Sequence, residues 1–227
     1  MYTNSIALAG AISTFALTST ALGGLNGLSY DVIGVDLIPD TYTVRLYAEV
    51  NAGDRVDAVY GQDPTFSITM LDGASTYQNT MYGGATSRSI SSAFFSFVPS
   101  LEWDSYVTIG CLYSDGMPFD NNALQHIGID WAGFEAGGDA TTNNGTWFVT
   151  PADAQGEEQN GRVLIAQFTI YQGSGAYDMY FTAGFQGKDA DGVTWNEADS
   201  VEISIPAPGA LALLGLAGVA SRRRRRG

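Results

Sequence analysis

The sequence predicts an all-β chain, an antiparallel β-sandwich of jelly-roll or immunoglobulin-like type, on three observations. From residue 29 onward, apolar side chains recur with a period of two rather than 3.6. Clusters of Gly, Asn and Asp separate the alternating runs, including Asp72-Gly73, Asp115-Gly116, Asn144-Gly145 and Asp191-Gly192. No segment after residue 23 has helical periodicity until the C-terminal tail. Many short strands joined by such turns are the pattern of a sandwich.

The runs can be taken in order. In Tyr42–Val50 the even positions are mainly aliphatic, and the odd ones include Arg45 and Glu49. Phe66, Ile68 and Met70 alternate with Ser67 and Thr69. Tyr106–Leu112 places Cys111 in phase with Val107 and Ile109, which predicts a thiol on the inner side of a strand. Ile127, Ile129 and Trp131 alternate with Gly128 and Asp130. Leu164, Ala166, Phe168 and Ile170 share one predicted face, as do Tyr177, Met179, Phe181, Ala183 and Phe185. Val201, Ile203 and Ile205 close the domain. One apolar face per run is what half-buried antiparallel strands require. Two long stretches, 72–92 and 133–160, read as surface loops.

The ends differ from this body. Residues 5–22 are apolar and small, without charge, and small residues follow at Ser19–Ala21 and Ala21–Gly23. This is the composition of an export signal over 1–23, cleaved near Leu22 or Gly24, although Met1–Asn4 supplies no Lys or Arg. A β domain is then expected over 24–205 and a tail over 206–227. The tail opens with Pro206-Ala207-Pro208, continues as an uncharged apolar run from Gly209 to Ala220, and ends on Arg222, Arg223, Arg224, Arg225 and Arg226. As a helix the run would cover about 18 Å, short of the ~30 Å hydrocarbon core of a bilayer. Five arginines resist translocation and stay on the cytoplasmic side. Such a run suits a processing or anchoring signal better than a permanent span.

Proline motif, short Gly/Ala/Leu helix and arginine cluster, in that order, resemble the PEP-CTERM sorting tail of exported bacterial proteins. The resemblance covers about the last 22 residues. It departs from the family at Ala207, where the family motif Pro-Glu-Pro has glutamate. Thr142–Pro151 also resembles body segments of uncharacterised β-rich proteins that bear this tail. The resemblance implies an exosortase-type sorting enzyme as partner, a membrane contact through the C-terminal helix, and delivery to the outer surface or extracellular matrix. It implies no activity for the body.

Charge narrows the partners. All 24 acidic residues lie between Asp31 and Glu202, opposed there only by Arg45, Arg55, Arg88, Arg162 and Lys188, a formal −19 that the terminal arginines bring to −14. Such a body repels phosphate backbones, so no nucleic-acid partner is expected. A single cysteine, Cys111, precludes an intrachain disulfide, and a single histidine, His126, cannot build a multi-histidine metal site. No nucleophile elbow, His-Glu-x-x-His pair or phosphate loop is present. A glycosidase needs only two carboxylates, but no pair stands out. The expectation is a non-enzyme without a cofactor.

Two weaker signals remain. The acid-rich turn Lys188–Asp199 invites a Ca²⁺ reading through Asp189 and Asp191. An EF-hand register fails there: with Gly192 at the invariant glycine, the first ligand position is Gly187 and the twelfth carries no acid. A plain hairpin turn over Asp189–Gly192 is the favoured reading. Trp147 and Trp195 lie beside turns and are candidates for stacking on sugar rings, whereas Trp131 shares the phase of Ile127 and Ile129 and reads as core. The sequence therefore carries two readings of the body: a structural or adhesive surface protein, or a carbohydrate-binding module that takes an extracellular polysaccharide.

Overall fold

The computed structural model describes residues 23–62 and 65–205. The chain forms two antiparallel sheets. Its strands are β1 (Leu25–Val35), β2 (Thr41–Val50), β3 (Arg55–Gly61), β4 (Phe66–Met70), β5 (Ser75–Thr76), β6 (Tyr106–Val107), β7 (Gln125–Ile127), β8 (Ala140–Thr142), β9 (Gly145–Phe148), β10 (Arg162–Tyr171), β11 (Met179–Lys188) and β12 (Thr194–Ile203). The first sheet runs β1-β2-β10-β5, with β6 also on β10. The second runs β7-β9-β3-β11-β4-β8, with β12 on the free side of β11.

The alternation explains the core. Tyr42, Val44, Leu46 and Ala48 of β2 are buried with Phe168 and Ile170 of β10, and with Met179, Phe181, Ala183 and Phe185 of β11 from the other sheet. At its centre, Phe66 meets Trp147 edge-on at 5.0 Å between ring centroids and Phe181 at 5.9 Å. Such pairs add about 0.5–1.5 kcal/mol beyond the area they bury. Tyr42 ties the layers with a polar contact, its hydroxyl donating to Asp178 Oδ2 at 2.8 Å. Two facing sheets around one apolar core are the arrangement of a β-sandwich.

Several expected phases are displaced. A bulge between Leu164 and Ala166 turns Leu164 to the outer face opposite Tyr47, while Val163 and Ile165 enter the core. Tyr177 lies before β11 begins and is exposed. Ile127 is 66% exposed on the outer side of β7, because the chain turns at Gly128 (φ +74°) and does not continue as a strand to Trp131. Trp131 is buried, and a one-turn helix, α1 (Ala132–Glu135), follows it. Cys111 is buried, yet the strand through it ends at Val107; its thiol donates to the carbonyl of Gly116 at 3.2 Å inside a loop.

The stretch 77–124 does more than meander. Ile90, Leu101, Tyr106 and Tyr113 form a second small core, with Phe95, Val98 and Leu112 packed on it. Polar contacts fasten this layer to the outer face of the first sheet: Thr169 N donates to Ser105 Oγ at 2.9 Å, and Gln167 Nε2 donates to the carbonyls of Glu102 at 2.9 Å and Asp104 at 3.1 Å. Among the described residues, no second layer of this kind lies on the outer face of β3, β9 and β11, where Ala58, Tyr60 and Phe148 are half-buried.

Candidate functional site

That face carries a groove of about 820 Å³. The ladder aligns its residues. Gln125, Phe148, Ala58 and Gln186 form one row across β7, β9, β3 and β11. Ile127, Thr146, Tyr60 and Gly184 form the next. Because side chains alternate, every outward residue in these rows is the partner in sequence of an inward one: Trp147 and Val59 point in, and Phe148, Ala58 and Tyr60 point out.

The lining is apolar and amide-rich. Tyr60, Phe148, Ile127, Asn144 and Gln186 contribute, and the turn Asn143–Gly145 forms one wall. Among the described lining residues Asp57 is the single acidic one, and it is buried and accepts from Arg55 Nε at 2.6 Å. Arg55 is held further by the carbonyls of Thr150 and Asp153. In a body of −19 the groove is therefore a nearly uncharged strip. Its groups include two aromatic rings, aliphatic side chains and carboxamides that both donate and accept hydrogen bonds. Apolar walls with a few polar groups to fix orientation are the usual composition of a ligand site.

A smaller cleft of about 210 Å³ lies on the first sheet beside Arg45, Tyr47 and Arg162. Its cations are engaged. Arg162 pairs with Asp31 at 2.7 Å and stacks on Tyr47 at 3.9 Å, and Arg45 Nε donates to Gln167 Oε1 at 3.1 Å. These contacts fasten β1, β2 and β10 together.

The residues singled out from sequence fall elsewhere. Trp147 is fully buried in the aromatic core, its Nε1 donating to the carbonyl of Thr108 at 3.0 Å. Trp195 is also buried, folded over Gly187 across the β11–β12 ladder. Both indoles face the sandwich interior, so neither presents a ring to a sugar; proximity to a turn did not decide which side of the strand they occupy. Asp189 is committed to the β11–β12 turn, where its Oδ1 accepts from the amides of Asp191 at 3.0 Å and Val193 at 2.7 Å. Among the described residues no three potential metal ligands converge. His126 accepts from Trp131 Nε1 at 3.3 Å. The sorting residues Pro206, Ala207, Pro208 and Arg222–Arg226, with the expected signal segment, lie outside the described residues. Among those described, no helix is long and apolar enough to cross a membrane.

Sequence reading missed Tyr60 and Phe148. The signal was present in their alternation with Val59 and Trp147, but the identity of the uncovered face depends on the second layer over the first sheet. The chain matches no protein-family model and no curated protein.

Proposed function

We propose that this chain is an exported, surface-retained β-sandwich of jelly-roll or immunoglobulin-like type, whose body holds neutral polysaccharide in the Tyr60–Phe148 groove. The observation that carries the reading is the uncharged aromatic and carboxamide strip on the open face of an otherwise strongly acidic body. Sugar rings offer apolar C–H faces to an aromatic ring and hydroxyls to amide groups, so this strip matches their chemistry. An acidic body suits a domain that must remain soluble and repel polyanions. The resemblance of residues 206–227 to a sorting tail supports delivery to the surface or matrix by an exosortase-type enzyme. The body is read as a binding and adhesive module rather than an enzyme, with no cofactor.

Two experiments test the two halves. The purified full chain is mixed with insoluble neutral glucans and with an acidic polysaccharide, and the bound fraction is measured. Retention on a neutral glucan is expected, with about a tenfold loss for Phe148→Ala or Tyr60→Ala; equal retention of these variants ends the groove reading. For the address, deleting residues 206–227 in the producing cell should move the protein from the surface to the soluble fraction. Unchanged surface attachment would end the sorting reading and leave the groove untouched.

A further inference from the structure

Exposure along β1 changes abruptly at the place where β12 stops. β1 and β12 are the edge strands of the two sheets and run side by side in the same direction. Gly24 lies against Glu197, Gly27 against Asp199, and the Tyr30 hydroxyl donates to the carbonyl of Ser204 at 2.9 Å. Leu25, Leu28 and Tyr30 are thereby half-buried and packed against the core. Val32 continues the phase of Leu28 and Tyr30, but β12 ends at Ile203, beside Tyr30 and short of Val32. Val32 is 46% exposed, Ile33 37%, Val35 57% and Leu37 37%. Four large aliphatic side chains within six residues are thus exposed at the end of this edge strand and the turn after it, an arrangement that folded proteins ordinarily cover.

We infer that this edge is the docking surface for the chain's own segment Pro206–Leu214. Three observations select that occupant. The segment follows Ile205, whose neighbour Ser204 is bonded to Tyr30, and β12 runs alongside β1 in the direction of Val32 and Val35. Six extended residues reach up to about 20 Å, enough to pass the whole patch. The segment is apolar, and it leads to the arginine block, while the patch is bordered by exposed Asp36 and Asp40. A second copy of the body would bring another −19 domain to the same edge, which mutual repulsion opposes. Covalent attachment gives the tail a high effective concentration at the patch, which no free partner has. In aqueous solution the tail is then a strap along β1, and a bilayer must compete it away. The inference stands apart from the sorting reading, since it concerns the soluble chain alone.

The test is disulfide trapping in the full chain without membranes. One variant carries Val35→Cys with Leu211→Cys; the control carries Val193→Cys with Leu211→Cys. Val193 is exposed at the far end of β12, about 33 Å of strand away, beyond the reach of residue 211. Native Cys111 is buried and stays out of the reaction. Under mild oxidation the Val35 pair should close within one chain at least tenfold faster than the control. Adding Val32→Ser and Ile33→Ser, both at exposed positions, should slow it toward the control rate. An unchanged rate of the Val35 pair after Val32→Ser and Ile33→Ser overturns the inference, as do equal rates in the two pairs, and disulfide-linked dimers as the main product of the Val35 pair would assign the edge to a second copy instead.

Discussion

Gly184 stands directly opposite Tyr60 in the β3–β11 ladder, and a Cβ at Gly184 would meet the tyrosine ring at 2.5 Å. The absence of a side chain lets the ring lie over Gly184, where it lines the groove. Gly184→Ala must lift the ring. The expected outcome is weaker retention on neutral glucan, by about tenfold, with little change in melting temperature. Gly184 is not at positive φ, so alanine adds no backbone strain. Unaltered retention would mean that the ring's pose does not matter for binding.

A buried carboxylate joins three turns. Asp54 accepts from the amides of Gly24 at 3.0 Å and Ala190 at 3.1 Å, linking the entry of β1, the β2–β3 turn and the β11–β12 turn. Asp54→Ala leaves these donors unpaired. The loss should be roughly 2–3 kcal/mol in denaturant unfolding, against a small effect for a surface acid such as Asp191→Ala.

Stability should depend on pH through Asp104. Burial raises its pKa to about 6, against backbone donors from Asn79, Gly84 and Ser105 that lower it and the charge of Glu135 that raises it further. The unfolded value is ~3.9. A carboxyl whose folded pKa is the higher one favours folding below the unfolded pKa, and that contribution is lost as pH rises through the folded pKa. Between pH ~4 and ~6 the loss is on the order of 3 kcal/mol. Unfolding curves of the protein and of Asp104→Asn at pH 4 and pH 7 measure it. The stability difference, protein minus variant, should fall by that amount as pH rises; a constant difference contradicts the assignment.

Cys111 should be inert in the native state. Burial, with the charges of Asp115 and Asp153, pushes its thiol up to about 12, so the reactive thiolate is scarce at neutral pH. A thiol reagent is expected to label the denatured chain rapidly and the native chain slowly, as followed by mass spectrometry.

Calcium should add little at the β11–β12 turn, where Asp189 Oδ1 is already engaged by two amides. A specific ligand at a hundred times its Kd would add about 2.7 kcal/mol. The melting temperature in added Ca²⁺ should match an ionic-strength control. A saturable shift that vanishes in Asp189→Asn with Asp191→Asn would establish a site.

Much of the fold is written in local alternation. Tyr42–Val50, Phe66–Met70 and the Met179–Phe185 face could be read directly, because a period of two admits one inner face once the core exists. The turn at Asp189–Gly192 was legible too; Cys111 and Trp131 are buried as expected, but in loops beyond Val107 and Gly128 and not by the strand phase that suggested it. It failed wherever one residue shifts the phase without a local mark, as at the bulge beside Leu164 and the turn at Gly128. It failed also for Trp147 and Trp195, since nearness to a turn does not say which face of a strand a side chain takes.

The sequence by itself determined the strand-rich class, the acidic body and the unusual composition of both ends, all properties of residue order and charge. Only the tertiary structure decided which sheet face stays open. Residues 77–124 fold back on the outside of β10 and build a second core there, a choice made by contacts between residues far apart in the chain. Among the described residues, that packing leaves Tyr60 and Phe148 only half-buried on the outer face, and the early end of β12 leaves Val32, Ile33, Val35 and Leu37 exposed, because what covers a strand depends on its neighbours and not on its own pattern.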